Sequence, residues 1–189
     1  MVWVFESSGN SHDMNIRNFE FKAKVVGIEP YEQQLLTRQP VFMGYDHQID
    51  TYFNVPTGRL KLREGNIENA LIQYQREDLA GSKLSTVVLY RHQPDPALKE
   101  ILTYQFGVKA VVDKHRKIYF INNIKFHFDR VEGLGEFVEV EAIDSGGQFT
   151  IEELKQQCDS YFEFFKLDPS SLQDRSYSDM IIGYELPDF

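Results

Sequence analysis

The sequence predicts an α+β fold, in which an antiparallel sheet of about eight strands closes into a barrel and helices occupy a few connections. Two observations lead to this class. Apolar and polar residues alternate with period 2 along most of the chain, which is typical of half-buried strands. Successive strands are joined by short turns, which favour hairpins, and closure removes the unpaired edges that such a sheet would otherwise expose.

The first half of the chain begins with a segment whose content of serine, glycine, asparagine and histidine is typical of a loose leader. Residues 1–14 are interpreted as a disordered or non-native leader, which leaves residues 15–189 as a single domain. Pro30 suits the first turn of a helix, and a proline-glycine turn at 56–58 separates two strands. The predicted elements are a strand over 17–27, a helix over 31–38, and strands over 46–55, 59–64, 70–77 and 85–92.

The second half contains two clear helix starts. Asp95 before Pro96 is a typical N-cap, and Thr150 with Glu153 three residues later forms a capping box. Asn122 belongs to a tight turn, because asparagine tolerates left-handed dihedrals. The predicted elements are a helix over 96–106, strands over 108–121, 124–131 and 136–143, a helix from 150 to 165, and short helical pieces from 168 and over 177–182.

Composition excludes several functional classes. Cys158 is the only cysteine of the chain, so it has no internal disulfide and no cysteine-cluster zinc site, and a cytoplasmic location is expected. The formal net charge of −9 argues against a general nucleic-acid-binding surface. No stretch approaches the roughly 18 apolar residues of a membrane span. The glycine-rich and kinase motifs of the common nucleotide-binding folds are also absent from the sequence.

Residues of one charge recur at every second position on several predicted strands. The positions are Arg59, Lys61 and Arg63, then Lys114 and Arg116, and finally Glu139 and Glu141. Each group has an ordinary explanation, since basic residues protect edge strands and acidic pairs occur on solvated faces. His127 alone is likewise more typical of a hydrogen-bonded histidine than of a ligand. The functional interpretation rests on their conjunction at period 2.

That conjunction suits a triphosphate with a divalent metal. Three linked phosphates require several arginines and lysines, and Mg²⁺ or Mn²⁺ requires carboxylate oxygens. Like-charged neighbours on a strand repel one another unless an opposite charge neutralises them. We therefore expect basic residues to outnumber acids in the site. We also expect that replacing Arg63 or Arg116 by alanine weakens ligand binding without destabilising the ligand-free protein.

Several motifs resemble the CYTH family, the triphosphate tunnel metalloenzymes, from residue 15 to about residue 180. They are Glu20-Phe21-Lys22, the segment 48–53, Gly58-Arg59-Leu60-Lys61-Leu62-Arg63, Tyr74-Gln75-Arg76, 112–116, 127–129, 133–141 and Ser176-Tyr177-Ser178-Asp179. The resemblance implies a single CYTH domain, an eight-stranded antiparallel barrel whose tunnel has a polar interior. Helices would pack on its apolar exterior.

The resemblance also implies roles for individual residues. Metal ligands would be Glu20, Glu139 and Glu141, with Asp129 supporting the metal or a basic neighbour. Lys22 would contact phosphate or help activate the attacking group, and with the three glutamates it would form the catalytic set. The triphosphate-binding residues would be Lys22, Arg59, Lys61, Arg63, Arg76, Lys114 and Arg116.

The family signature begins with a glutamate where this chain has Asn18, which removes one negative charge from the metal site. Three functions remain open. The hairpin segment 119–141 and the tail 176–179 resemble the branch of class IV adenylyl cyclases, which favours an enzyme that converts ATP to cyclic AMP and pyrophosphate. A triphosphatase acting on thiamine triphosphate, tripolyphosphate or a nucleotide is the second, and a non-catalytic triphosphate-binding protein is the third. Mg²⁺ or Mn²⁺ is the expected cofactor, and a homodimer is expected, with no nucleic-acid polymer or membrane as partner.

Overall fold

The computed structural model describes residues 13–76 and 83–185, and its eight antiparallel strands form a closed barrel. The strands are β1 (Asp13–Val25), β2 (Val41–Phe53), β3 (Arg59–Gly65), β4 (Ala70–Arg76), β5 (Lys83–Arg91), β6 (Val108–Ile121), β7 (Ile124–Val131) and β8 (Gly135–Asp144). The helices are α1 (Glu29–Leu36), α2 (Pro96–Phe106), α3 (Ile151–Phe164) and α4 (Tyr177–Glu185), and a 3₁₀ turn spans Pro169–Ser171. The predicted α+β barrel is thereby confirmed. Most of the predicted leader lies outside the described residues.

Closure of the barrel depends on pairings between distant parts of the chain. The strand order is β1-β5-β4-β3-β2-β6-β7-β8, and β8 returns to pair with β1. Only some neighbours are joined by hairpins. The pairs β1–β5, β1–β8 and β2–β6 are formed by strands separated along the chain by other elements. These three pairings bring the charged strands together around one lumen.

The apolar faces of the strands point outward, against the helices. Phe21, Phe126 and Val140 are almost fully buried beneath α3, whose Leu154 and Cys158 belong to the same cluster. Each large side chain buried here stabilises the fold by about 1.5–3 kcal/mol. The alternate faces carry the charged residues and line the lumen. The barrel therefore has a polar interior and an apolar exterior covered by helices, as the family resemblance implied.

Local sequence signals place most element ends close to their predicted positions. Asp95 accepts a hydrogen bond from the Ala97 amide at 2.9 Å at the start of α2, and Thr150 and Glu153 form the capping box of α3. The start of β2 is the main difference, because this strand begins at Val41 rather than at residue 46. A bulge near Gly44, whose φ is +139°, interrupts the alternation there and hides the first part of the strand.

The helix α4 packs at one end of the barrel. Tyr177 and Met180 belong to one buried cluster with Tyr52 of β2 and Phe137 of β8, both of which lie on the lumen face near the ends of their strands. The Phe137 and Tyr177 rings meet edge-on, with 4.9 Å between their centroids. The C-terminal segment thereby brings polar side chains to the lumen. None of the described helices is long and apolar enough to cross a membrane.

Candidate functional site

Two groups of strands divide the lumen into two walls of opposite character. The lumen faces of β2, β3 and β6 form the basic wall, which carries Lys61, Arg63 and Lys114. The lumen faces of β1, β7 and β8 form the acidic wall, which includes Glu139 and Glu141. Strand register produces this division. On the acidic wall Lys22, Glu139 and His127 lie opposite one another on successive strands, and Glu20 lies opposite Glu141.

One buried carboxylate organises the basic wall. Asp50 accepts two hydrogen bonds from Arg63, at 2.8 and 2.9 Å, and one from Lys114 at 2.6 Å. Lys61 donates a fourth hydrogen bond to the same carboxylate at 3.1 Å. Asp50 and Lys114 are each 1% exposed, so these charges are almost fully removed from water. The three cations hold the pKa of Asp50 well below its usual value despite burial.

A second carboxylate, Glu68, lies in the loop before β4 and extends this network. It accepts a hydrogen bond from Arg63 at 2.8 Å and contacts Lys125 of the neighbouring acidic wall. Around the basic wall four cations thus share two carboxylates. Burial lowers the pKa of Lys114 to about 7, and the nearby Arg63 and Arg116 act in the same direction against Asp50. The wall therefore carries a surplus of positive charge that an anion would stabilise.

Glu139 is the corresponding centre of the acidic wall. Its carboxylate accepts a hydrogen bond from Arg116 at 2.6 Å and lies 3.3 Å from the Lys22 ammonium. Arg116 also donates two hydrogen bonds to Asp129, at 2.7 and 2.6 Å, and Tyr177 donates its hydroxyl to the same carboxylate at 2.7 Å. Arg116 therefore neutralises two buried carboxylates at once.

Glu141 of this wall is less well compensated. Burial raises the pKa of Glu141 to about 7, opposed by Lys125 and reinforced by Glu139 and Glu20. His127 is fully buried, and burial together with Arg116 and Lys125 lowers its pKa to about 3, so the imidazole is neutral at physiological pH. A neutral imidazole and several carboxylates on one wall can bind a cation.

The residues present on the acidic wall fit a divalent metal. One ligand atom each from His127, Glu139 and Glu141 lie within 4.8 Å of one another. Two further buried atoms, the Asn18 Oδ1 and the His127 Nε2, have no hydrogen-bond partner among the described residues. Carboxylate and amide oxygens suit Mg²⁺ or Mn²⁺. The β1 strand contributes Asn18, Glu20 and Lys22 to this wall, at alternate positions.

The structure brings together most of the predicted site residues. The lumen contains Glu20, Lys22, Lys61, Arg63, Lys114, Arg116, Asp129, Glu139 and Glu141. Arg59 lies nearer the α4 end, with its guanidinium 2.6 Å from Asp179 and its side chain 27% exposed. Arg76 ends β4, and its side chain lies outside the described residues.

One sequence-based expectation about charge is wrong, and the premise of a second is contradicted. Basic groups do not outnumber acids among the described lumen side chains, since Asp46, Asp50, Glu68 and Asp179 were not assigned to the site. Their presence also removes the premise that Arg63 and Arg116 lie in like-charged clusters. Both arginines bind buried carboxylates. Loss of Arg63 would remove two hydrogen bonds from Asp50, and loss of Arg116 would remove two from Asp129 and leave Glu139 with Lys22.

The missed residues share a signal that the sequence does contain. Asp46, Gln48 and Asp50 occupy alternate positions of β2, so one polar face of that strand was visible. The amide of Gln48 donates to Asp46 at 2.7 Å and to Glu68 at 3.0 Å. No periodicity pointed to Glu68 or Tyr177, because both reach the lumen from outside the strands.

Comparison with known proteins identifies the family of this chain. The CYTH domain model matches residues 17–171, and the chain belongs to the CYTH family. Over 169 residues it is 23% identical to the adenylate cyclase CyaB of Aeromonas hydrophila, covering 84% of this chain and 85% of that protein.

Solved structures with the same fold include a conserved hypothetical protein of Pyrococcus furiosus. Its TM-score is 0.75 at 25% identity, with 86% of this chain and 98% of that chain covered. A second is a Hippeastrum protein designated an adenylyl cyclase candidate and described as having a dominant triphosphatase activity. Its TM-score is 0.59 at 12% identity, covering 92% of this chain and 98% of that one.

Proposed function

We propose that this protein is a divalent-metal-dependent enzyme acting on a triphosphate, and that its reaction is the conversion of ATP to cyclic AMP and pyrophosphate. The similarity to the adenylate cyclase CyaB and the resemblance of the tail to that branch of the family favour the cyclase reaction. The location proposed is cytoplasmic, on the evidence of the single cysteine, and a homodimer stays a prediction from the family.

One observation carries the proposal: the two lumen walls have opposite surplus charge. The lumen faces of β2, β3 and β6 carry five basic residues against two carboxylates: Arg59, Lys61, Arg63, Lys114 and Arg116 against Asp46 and Asp50. The lumen faces of β1, β7 and β8 carry four acids against two lysines: Glu20, Asp129, Glu139 and Glu141 against Lys22 and Lys125. A triphosphate supplies the anion that the basic wall lacks, and a divalent ion supplies the cation that the acidic wall lacks. A single metal–triphosphate complex would satisfy both walls at once.

The basic wall would bind the phosphate groups. Lys61, Arg63 and Lys114 would bind phosphate oxygens, with Asp50 holding them close together before the ligand arrives. Their N–H groups not used by Asp50 and Glu68 are available to an anion, since arginine carries five donors and lysine three. A cradle assembled in advance loses less side-chain entropy on binding.

The acidic wall would hold the metal through Glu139, Glu141 and Glu20, with Asn18 and His127 as neutral supplementary donors. The ion would withdraw charge from the phosphate oxygens as the bond to phosphorus breaks. Lys22 lies beside Glu139 and over the Tyr177 ring, 4.0 Å from the ring centroid. From this position it would contact the reacting phosphate or help activate the attacking group.

Hydrolysis is the second candidate reaction, because the same walls would serve it with water as the attacking group. The crowding of Tyr177 and Met180 of α4 against Tyr52 and Phe137 favours it, since a compact triphosphate requires less room than a nucleoside. Tripolyphosphate is the substrate that this argument favours, and thiamine triphosphate and a nucleoside triphosphate are the larger alternatives.

Product analysis tests the proposal. The purified protein is incubated with ATP, thiamine triphosphate or tripolyphosphate, each with Mg²⁺ and separately with Mn²⁺, and the products are separated. Cyclic AMP with pyrophosphate supports the cyclase, and orthophosphate supports hydrolysis instead. Tight triphosphate binding without any product from any substrate would contradict the enzymatic proposal and leave the binding function.

A further inference from the structure

A second cluster of metal-ligating side chains lies on the outside of the barrel, on the pair formed by β2 and β6. His47 is paired directly with His115, and Asp113 precedes His115 by two positions on the same face. Lys114, which separates Asp113 from His115, points into the lumen, so the cluster lies on the opposite side of the sheet from the basic wall. The proposed reaction uses none of these three residues.

The three side chains are already in contact. The His47 Nε2 lies 2.7 Å from the Asp113 Oδ1, and the His47 and His115 rings stack with centroids 4.3 Å apart and planes 17° apart. One ligand atom from each residue lies within 4.8 Å of the others. The side chains of His47 and Asp113 are 40% and 45% exposed, which leaves them accessible to an ion from solvent.

The ligand types identify the class of ion. Two imidazoles and a carboxylate suit zinc and its neighbours, Ni²⁺ and Cu²⁺, far better than Mg²⁺, which prefers an all-oxygen shell. Zinc binds nitrogen at about 2.0–2.1 Å and carboxylate oxygen at about 2.0–2.2 Å. Small rotations of exposed side chains bring three atoms within 4.8 Å to such distances, and water can complete the coordination shell.

The surrounding charges permit a cation. Arg130 lies opposite His115 on β7, but its guanidinium binds Glu136 at 2.6 Å and also contacts Glu29. Lys117, two positions beyond His115, binds Glu32 at 2.6 Å. Tyr45 stacks on the His115 ring with 5.6 Å between centroids and limits the orientations of that imidazole. The nearby cations thus have carboxylate partners of their own.

We propose that His47, Asp113 and His115 form an exterior binding site for a divalent transition-metal ion, with zinc as the representative ion. The site joins β2 to β6, a pairing that closes the barrel between elements far apart in the chain. An ion bound there stabilises the native state selectively, because the unfolded chain does not hold the three ligands together. This inference is independent of the reaction proposed for the lumen.

Zinc titration of the full chain tests the site. Calorimetry is performed with excess Mg²⁺ present, in a His12→Ala background that removes the histidine outside the described residues. His115→Ala and His47→Ala should each weaken zinc binding by about tenfold or more, because loss of even an outer partner of a metal ligand costs about 10–100-fold. Zinc should also raise the thermal unfolding midpoint of the background protein and leave that of His115→Ala unchanged.

Two controls separate this site from other zinc-binding groups. His92→Ala removes another histidine, whose Nδ1 contacts the Gln93 carbonyl at 2.8 Å, and should bind zinc as the background does. Glu141→Gln alters the lumen and should also leave the exterior affinity unchanged. Equal zinc affinity in the background and in His115→Ala would overturn the proposal, as would the absence of zinc binding by the background. A loss of affinity confined to Glu141→Gln would assign the zinc to the lumen and overturn it equally.

Discussion

The basic and acidic walls of the lumen are built by the same strand alternation but have opposite electrostatic imbalances. On the basic wall Lys114 is buried beside other cations, and its pKa falls to about 7. On the acidic wall Glu141 is buried beside other carboxylates, and its pKa rises to about 7. Burial is the first cause in both cases, and each charge is disfavoured further by neighbours of its own sign. A ligand of the opposite charge would therefore stabilise each wall.

Arg116 is the residue that connects the two walls, and its removal should have the largest effect. Arg116→Ala removes two hydrogen bonds from Asp129 and one from Glu139, which keeps the Lys22 ammonium beside it, and breaking a buried pair in this way costs about 3–5 kcal/mol. Urea denaturation measures the loss. Arg130→Ala is the matched control, because its ion pairs are exposed and should contribute less than about 1 kcal/mol. Equal losses in the two variants would show that the walls are not coupled through Arg116.

Glu141→Gln should separate metal binding from triphosphate binding on the acidic wall. It removes an anionic ligand without breaking the Arg116 contacts, so Mg²⁺- or Mn²⁺-dependent turnover should fall by about 100-fold while metal-free tripolyphosphate affinity is retained. Because the raised pKa disfavours the charged form, the variant should also be more stable than the native chain at pH 8 without metal, by about 1–3 kcal/mol. Near-native turnover at ordinary metal concentration would remove Glu141 from the site.

Lys114 should take up a proton when an anion binds the basic wall. At pH 8 a lysine with a pKa of about 7 is mostly neutral, and a triphosphate beside it favours the charged form. Calorimetry with tripolyphosphate in buffers of different ionisation enthalpy should detect an uptake of up to about one proton.

Lys114→Met should abolish this uptake. Lys99→Met removes a lysine of α2 that binds Glu64 outside the lumen, and should leave the uptake unchanged. The same shift affects stability. Because the folded pKa lies below the unfolded value of 10.5, burial of Lys114 destabilises the protein most below about pH 7. The free energy of unfolding should therefore rise as the pH increases from about 7 to 10.5, and fall as the pH is lowered through the same range. Identical proton uptake in both variants would contradict the assignment.

The smallest effect is expected at the α4 end of the barrel, where Asp179 forms an ion pair with Arg59. Asp179→Asn removes a carboxylate that competes with phosphate for this guanidinium, so tripolyphosphate should bind a few-fold more tightly. The pair is partly exposed, and its loss should cost at most about 1 kcal/mol. Asp159→Asn on α3 makes the same change in net charge away from the lumen and should leave the affinity unchanged. Weaker binding by Asp179→Asn would show that Asp179 supports the ligand.

Local signals predicted much of this structure. Alternation located the strands, the caps at Asp95 and Thr150 located helix starts, and Asn122 adopts the expected left-handed conformation with φ of +52°. Charge at period 2 located most of the lumen residues. The compensation between them was not predictable, because the contact between Asp50 and Lys114 depends on the pairing of β2 with β6. A single sequence does not encode such a distant register in any local pattern.

The non-local pairing of β1 also bears on the order in which the protein is assembled. Phe19 is made early, yet its partners are Leu84 on one side and Ala142 on the other. During synthesis β1 is made well before its two neighbours, β5 and β8, so it cannot form both pairings until most of the domain has been synthesised. Folds dominated by such distant pairings fold slowly and expose unpaired edges meanwhile. Since β1 and β8 together carry Glu20, Glu139 and Glu141, the acidic wall is completed only when the last strand joins the first.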